Sequence, residues 1–455
     1  MSETAPPPGT PAPPPAKPGT ISRERLVLLY MVMLTTAAGN TAMQSVMPSI
    51  GTSLGVADVW ISLAYSWSAV LWVATAPFWA RRSDRRGRKT MMALGMVGFI
   101  SSFALCGILL WLGLNGYLTA FLTLALFALA RGLYGGFGSA APPAVQAYIA
   151  SRTDRSQRTN ALSLIASSFG LGTVIGPALA PLLIFPGAGL TGPFLIFALF
   201  GLATLVALRL RLPNDDPAFE TRSGVVPAPY GTGTSANGAG RAEDEDEQQA
   251  AEDIPDLKWT DRRLRPWLVA GLLGGHAQAM VLGIAGFLVL DRLGLRATPD
   301  EGAGPIGLVL MAGAIATLLA QWGLIPTFKL GPRAATLWGM ALAIVGILMF
   351  GWAESLHPIA LGFAIASLGF GLFRPGFTAG ASLAVRRSEQ GQVSGIVASI
   401  NGAAYVVAPA LGVWIYGHSD HAAFIIVASL CAMVAVLGWR GLQADADLTG
   451  ETGAS

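Results

Sequence analysis

Residues 80–90 read ARRSDRRGRKT, six basic side chains and one carboxylate crowded between two long apolar runs. The chain around them is 53% hydrophobic and only 12% charged, with a mean hydropathy of +0.56. An ordinary soluble domain carries roughly 25% charge, so the contrast assigns the flanking runs to a different solvent. Stretches of about 20 apolar residues recur along the whole sequence, each long enough to cross a ~30 Å hydrocarbon core as a helix. A membrane barrel would need alternating strands of about ten residues, and the sequence has no such pattern. The 56 glycines and 29 prolines suit membrane helices, which pack closely through small residues and tolerate kinks. The expected fold is all-α and polytopic, with twelve transmembrane helices, and the basic turn is a loop held outside the bilayer.

Working outward from that turn, the spans divide into two sets of six. Residues 1–24 form a Pro-rich polar tail without the apolar core of a signal peptide, so the first span is expected to stay as an uncleaved anchor. The six-helix halves are expected at 25–210 and 264–441, joined by an acidic linker at 211–263 and followed by a tail at 442–455. The linker's acidic run, Glu243 to Glu247, reads as a solvated spacer, with a docking role as the alternative. Loops after even-numbered spans carry Arg81, Arg82, Arg85, Arg86, Arg88 and Lys89, then Arg152, Arg155 and Arg158, then Arg262, Arg263 and Arg265. The opposite loops carry little: Asp58, then Asp291, Arg292, Arg296, Asp300 and Glu301, then Glu354 and Asp420. By the positive-inside rule both termini and the linker are expected in the cytoplasm, and the short loops suggest a bacterial inner membrane. Cys106 and Cys431 sit in apolar runs with neither a disulfide framework nor metal-ligand spacing, so no metal and no cofactor are expected. No nucleic-acid partner is expected either.

The second half repeats the first. "DRRGRKTMMALG" faces "FKLGPRAATLWG", pairing Gly87 with Gly331, Lys89 with Arg333 and Gly95 with Gly339. Pro143 and Pro177 pair with Pro375 and Pro409 at a slightly shorter offset, so the second half has lost about a dozen residues in between. Two pseudo-symmetric halves in parallel orientation fit these matches.

These residues resemble the major facilitator superfamily. The turn fits that family's G-x-L-[AS]-D-R-x-G-R-[KR] signature at Ser83, Asp84, Arg85, Gly87, Arg88 and Lys89, and departs from it at Ala80 and Arg82. The resemblance implies the family fold and a conformational latch made by Asp84, Arg85, Gly87, Arg88 and Lys89. Its partner would be the start of span eleven, near Gln392 to Gly395, where unpaired N–H groups favour an anion. The alternative is that Asp84 only tempers the basic loop. Span five, "SFGLGTVIGPALAPLL", resembles the antiporter-associated G-x-x-x-G-P element through Gly172, Gly176 and Pro177, implying close helix packing and a kink. The stretch from Glu389, "EQGQVSGIVASINGAAYVVAPALG", resembles bacterial tetracycline/proton and related drug/proton antiporters.

Polar groups at membrane depth are the candidates for proton coupling or the substrate cavity. Arg131 lies midway through span four, where an unpaired Arg costs roughly 2.5–3.5 kcal/mol. With Gly135 it resembles the family's R-x-x-x-G element, implicated in proton transfer, with Tyr134 in place of the common Gln. His276 could titrate near neutrality or serve as a hydrogen-bonding core residue. Arg374, beside Pro375, could contact an anion or a substrate. Asn40, Gln44, Gln278, Asn401 and Tyr405 would supply neutral contacts if they face the cavity. No Asp or Glu lies at mid-membrane, so coupling would rest on Asp291, on His276 or on the network around Arg131.

The leading expectation is a secondary transporter, not an enzyme, working as a monomer in the lipid bilayer. It would export small amphipathic molecules in exchange for protons by alternating access. An importer on the same scaffold is the first alternative. A polytopic membrane enzyme would need motifs such as HExxH, and an ATP-driven pump a phosphate-cradling GxxxxGK[ST] loop; the sequence has neither.

Overall fold

A computed structural model describes residues 21–150, 155–213, 257, 260–386 and 389–449. Most of the linker and both extreme tails lie outside the described residues, as do the side chains of Arg81, Ser83, Asp84 and Arg85. Among the described residues there is no strand, only one isolated bridge between Phe185 and Gly189.

The first half comprises α1 (Arg23–Ser53), α2 (Asp58–Arg86), α3 (Arg88–Leu114), α4, α5 (Arg155–Leu179) and α6 (Gly192–Arg211). Helix α4 runs as Ala120–Leu133, a π turn Tyr134–Gly138 and a continuation Ala141–Ala150. The second half comprises α7 (Arg265–Arg292), α8 (Pro299–Leu318, with a π turn Leu319–Leu324 and a last turn Ile325–Phe328), α9 (Pro332–Trp352), α10 (Leu356–Leu383), α11 (Gln390–His418) and α12 (Asp420–Gly441). A short α13, Asp445–Thr449, follows. Eleven of the described helices are long and apolar enough to cross a membrane, and α5 contributes a shorter apolar stretch, Ser167–Leu183. The spans are apolar all round because each has two apolar surroundings. In α3, Phe99, Phe103 and Cys106 are buried in the bundle while Val97, Leu105 and Ile108 are exposed on the other side. Such a continuous apolar exterior fits lipid, not water.

The packing repeats with the sequence. Helix α1 packs on α5 and α6, and α3 on α4 and α6; correspondingly α7 packs on α11 and α12, and α9 on α10 and α12. Across the two halves, α2 meets α11 and α5 meets α8, which are the same contact seen from either side of the pseudo-symmetry. Close approach needs small residues. A Cβ on Gly172 would lie 2.7 Å from the Ala37 Cβ, and one on Gly176 would overlap the Ala38 carbonyl oxygen, so α5 lies directly against α1. Pro177 falls within the last turn of α5, which tightens into a 3₁₀ turn over Ala180–Leu183.

The turns at the basic face repeat a cation contact but not a backbone conformation, since Gly331 has φ −69°. Gly87 links α2 to α3 at φ 86°, a backbone region that disfavours side chains. Two residues on, the mostly buried Lys89 donates from Nζ to the Arg209 carbonyl oxygen at 3.0 Å, placing a cation on the last turn of α6. Its repeat partner Arg333 donates from Nη2 to the Trp439 carbonyl oxygen at 2.7 Å, on the last turn of α12. One feature is added in the second half. The Asp445 carboxylate accepts from the backbone N–H groups of Arg333 (2.7 Å) and Ala334 (3.1 Å), capping the start of α9.

Candidate substrate cavity and gate

Between the halves lie two adjoining cavities that share Gln44, Leu282, Leu310 and Tyr405 in their walls. Both are walled by both halves. Phe169, Phe363 and Phe370 contribute to the larger, and Met47, Ile61 and Phe287 to the smaller. Their polar groups are amides and hydroxyls, with Thr41, Thr173, Thr317 and Ser367 in the larger and Ser62 and Tyr65 in the smaller. Asn40 and Gln278 line the larger cavity, while Gln44 and Tyr405 line both. Asn401, the fifth neutral candidate, lines neither.

Arg131 stands behind this wall. It is fully buried, its guanidinium 4.9 Å from the Tyr134 ring centre and 6.0 Å from that of Tyr65. Its Nη2 donates to Asn40 Oδ1 at 3.0 Å. The backbone here is shaped for the purpose. The α-helix ends two residues after Arg131 in the π turn, and Gly135 lets that turn close onto the Ser68 carbonyl of α2. Ser68 Oγ in return donates to the Arg131 carbonyl oxygen at 3.2 Å.

A second buried arginine, Arg374, lies in the second half, beside Pro375 and nine residues from the end of α10. It is buried in α10 and interacts with the Tyr405 hydroxyl. Among the described residues its Nη1 and Nη2 find no hydrogen-bond acceptor. His276 lies on α7 but lines neither cavity; its Nδ1 is 2.7 Å from the Leu272 carbonyl oxygen. Against a carbonyl oxygen Nδ1 can only donate, so in the neutral ring the lone pair falls on Nε2.

Asp291 is not at mid-membrane but in a cluster at the face opposite the basic loops. Arg296, in the loop after α7, forks onto Asp58 of the first half, with Nη1 to Oδ1 at 2.9 Å and Nη2 to Oδ2 at 2.7 Å. The same guanidinium holds Asp291, Nε to Oδ1 at 2.7 Å, and touches Thr52 Oγ1 at 3.3 Å. Tyr416 donates its hydroxyl to Asp291 Oδ2 at 2.8 Å. The Asp58 hydrogen bonds, then those of Asp291, raise the already high pKa of the guanidinium. Below this tie, a Cβ on Gly286 of α7 would overlap Pro48 of α1, and one on Gly307 of α8 would lie 2.7 Å from the Pro177 carbonyl oxygen. The two halves are therefore sealed together on this face. Sequence reasoning placed these charges in the outer loops without pairing them. The available signal was opposite charge, Asp58 in one outer loop and Arg296 in another.

At the basic face the described ties run within each half. Asp84 and Arg85 have side chains outside the described residues, so the latch expected there has no geometry. Lys89, included in that latch, binds within its own half. The start of α11, the expected partner, carries the end of the linker. The Leu257 N–H donates to Gln392 Oε1, and Arg263 forks onto Glu389 at 3.0 and 2.8 Å while also holding Asp261 at 2.8 Å. A Cβ on Gly395 would meet no atom within 4 Å.

The pattern that defines the Major Facilitator Superfamily matches residues 29–356 and 322–452. The chain belongs to the major facilitator superfamily. It is a multi-pass membrane protein of that superfamily. Among relatives in this superfamily, a multidrug resistance efflux pump homologue of Lactococcus lactis is 32% identical over 169 residues, 37% of this chain and 38% of that one. A probable actinorhodin transporter of Streptomyces coelicolor is 30% identical over 200 residues, 43% of this chain and 32% of that one. The chain thus spans under two-fifths of the length of these two relatives. The class B tetracycline resistance protein of Escherichia coli is 26% identical over 361 residues, 77% of each chain. Among solved superfamily structures, a D-xylose–proton symporter aligns with a TM-score of 0.68 at 15% identity, covering 93% of this chain and 98% of that one. A bacterial homologue of the lysosomal transporter Spinster aligns at 0.64 and 14%, covering 93% and 100%. These likenesses support the fold.

Proposed function

We propose that this carrier exports small amphipathic molecules from the cytoplasm by alternating access, in exchange for protons. The observation that carries the reading is the cavity: apolar side chains interspersed with uncharged polar ones, walled by both halves and sealed on one face by the Arg296–Asp58 tie. The positive-inside rule makes the basic loops cytoplasmic, so the sealed face is the outer one and the cavity takes its substrate from the cytoplasm. Breaking the tie and closing the basic face, with Asp84 as the latch, would release the cargo outside. Export is supported by the efflux relatives and by the packing of Gly172 and Gly176 on α1. For the proton, His276 offers the Nε2 lone pair and Asp291 a carboxylate inside the gate, where protonation would weaken its hold on Arg296. The protein is read as a monomer of the bacterial inner membrane with both termini cytoplasmic.

Everted membrane vesicles with an acidic lumen reported by a pH-sensitive dye test this. A transported compound is expected to trigger proton release, and the Asp84→Asn and His276→Ala variants are expected to lose it. Compound uptake into whole cells without proton exchange would instead establish an importer.

A further inference from the structure

The cavity has two buried cations behind its wall and no anion within reach. In sequence, no Asp or Glu occurs between Asp84 and Asp154, which removes α3 and α4 from consideration, and none occurs between Glu301 and Glu354 or between Glu354 and Glu389. The acids flanking the other spans, such as Asp58, Asp291 and Asp420, sit at helix ends. Arg131 lies 11 residues inside α4 and Arg374 nine residues from the end of α10, so at 1.5 Å per residue both are more than 13 Å deep by rough measure. Among the described residues, the ion pairs of Arg263, Arg292, Arg296 and His421 are all at the faces.

The neutral groups in front of the arginines are polarised by them. Arg131 engages Asn40 through Oδ1, which fixes the amide orientation and turns its Nδ2–H donors away from the guanidinium. Asn40 lines the larger cavity. Arg374 sits against the Tyr405 oxygen, so that hydroxyl can direct its own proton into the space it lines. Arg374 itself keeps two buried nitrogens without an acceptor. A buried charge without a partner is costly, and donors aimed at a common space favour whichever ligand supplies the acceptor and the charge.

We infer that the substrate is an amphipathic organic anion, a carboxylate or sulfonate on an apolar body. Its charged end lies between Asn40 and Tyr405, and its body lies against the phenylalanines of the cavity. This specifies the cargo of the export reading above and rests on that cavity being the transport site. A cationic drug would face two like charges with no carboxylate to receive it.

The test uses the full-length protein purified in detergent and matched ligands of one shape: 4-phenylbutyrate, 4-phenylbutanamide and 4-phenylbutylammonium, with 2-naphthoate, 2-naphthamide and 2-naphthylmethylammonium as a second set. Calorimetric titration is expected to show each carboxylate binding at least about tenfold more tightly than its amide and amine, the scale of one charge-assisted hydrogen bond. That preference should shrink below about threefold in Arg374→Gln and persist in Arg374→Lys, with thermal unfolding confirming that both variants fold. Equal or tighter binding of the amines overturns the inference, as does binding by none of the carboxylates, or an anion preference that survives Arg374→Gln. Everted vesicles separate this from the export reading. Extrusion of the amide or amine removes anion selectivity and leaves export standing; an anion that binds but is not moved outward removes export and leaves the selectivity standing.

Discussion

The two faces of the carrier are held in different ways. At the face of the outer loops one guanidinium, Arg296, bridges the halves, gripping Asp58 of the first and Asp291 of the second. At the basic face the described ties stay within a half: Lys89 on α6, Arg333 on α12, Asp445 on α9 and Arg263 on α11. Under the alternating-access reading proposed above, a bond between the halves would have to break in every transport cycle, so its strength would set which side is open. A bond within a half moves as part of a rigid body and is kept through the cycle. The first kind is a gate and the second is a rivet, although both are charged contacts at a membrane surface.

The largest expected effect belongs to the gate. Cys106 and Cys431 are both buried, so a thiol introduced by Gln44→Cys reports access to the cavity with little background. Adding Arg296→Gln is expected to raise its labelling from outside by about tenfold, the loss of roughly 1.4 kcal/mol from a forked ion pair shared by two carboxylates. Asp58→Asn should do so more weakly, since Asp291 still holds the arginine. Unchanged labelling in both would make the tie a rivet as well.

Next comes the α9 cap. Asp445→Ala removes the acceptor of two backbone N–H groups and is expected to cost about 1 kcal/mol of stability, read as a lower unfolding temperature with labelling of the cavity thiol unchanged. The repeat pair should follow at about 0.5–1 kcal/mol each, the size of a cation at a helix C-terminus. Lys89→Met and Arg333→Met are expected to destabilise their halves to a similar degree; a large inequality would break the equivalence that the sequence repeat suggests. The smallest effect is a pH dependence. Arg263 hydrogen bonds hold the Glu389 and Asp261 carboxyls below their usual range. Their contribution is complete above the unfolded carboxylate pKa of about 4 and fades as pH falls through the lower folded value. Glu389→Gln should therefore lower the unfolding temperature equally at pH 8 and pH 5.5. The difference from the unaltered protein should close only in stronger acid.

The fold was legible because its two signals are local. Apolar length marks each span, and the repeat of Gly87 with Gly331 and Lys89 with Arg333 marks the halves, where the structure shows the same cation–carbonyl contact made twice. The candidate site was legible in part. Asn40, Gln44, Gln278 and Tyr405 do line the cavities, but Asn401 and His276 do not, because facing is set by how twelve nearly uniform apolar helices rotate against one another. The gate was illegible for another reason. Arg296 and Asp58 belong to different halves, and no periodicity within a chain announces a pairing across so long a separation. The charge of Arg131 was visible in sequence, whereas its orientation of the Asn40 amide needed coordinates.

The interior without carboxylates has an electrical consequence. Bacterial inner membranes are held negative inside, and each elementary charge that crosses is worth about 2.3 kcal/mol per 100 mV. A carrier that moves a monoanion outward while a proton enters transfers two charges in the favourable direction. Voltage then acts on both legs of the exchange, and extrusion would continue after the pH gradient had collapsed.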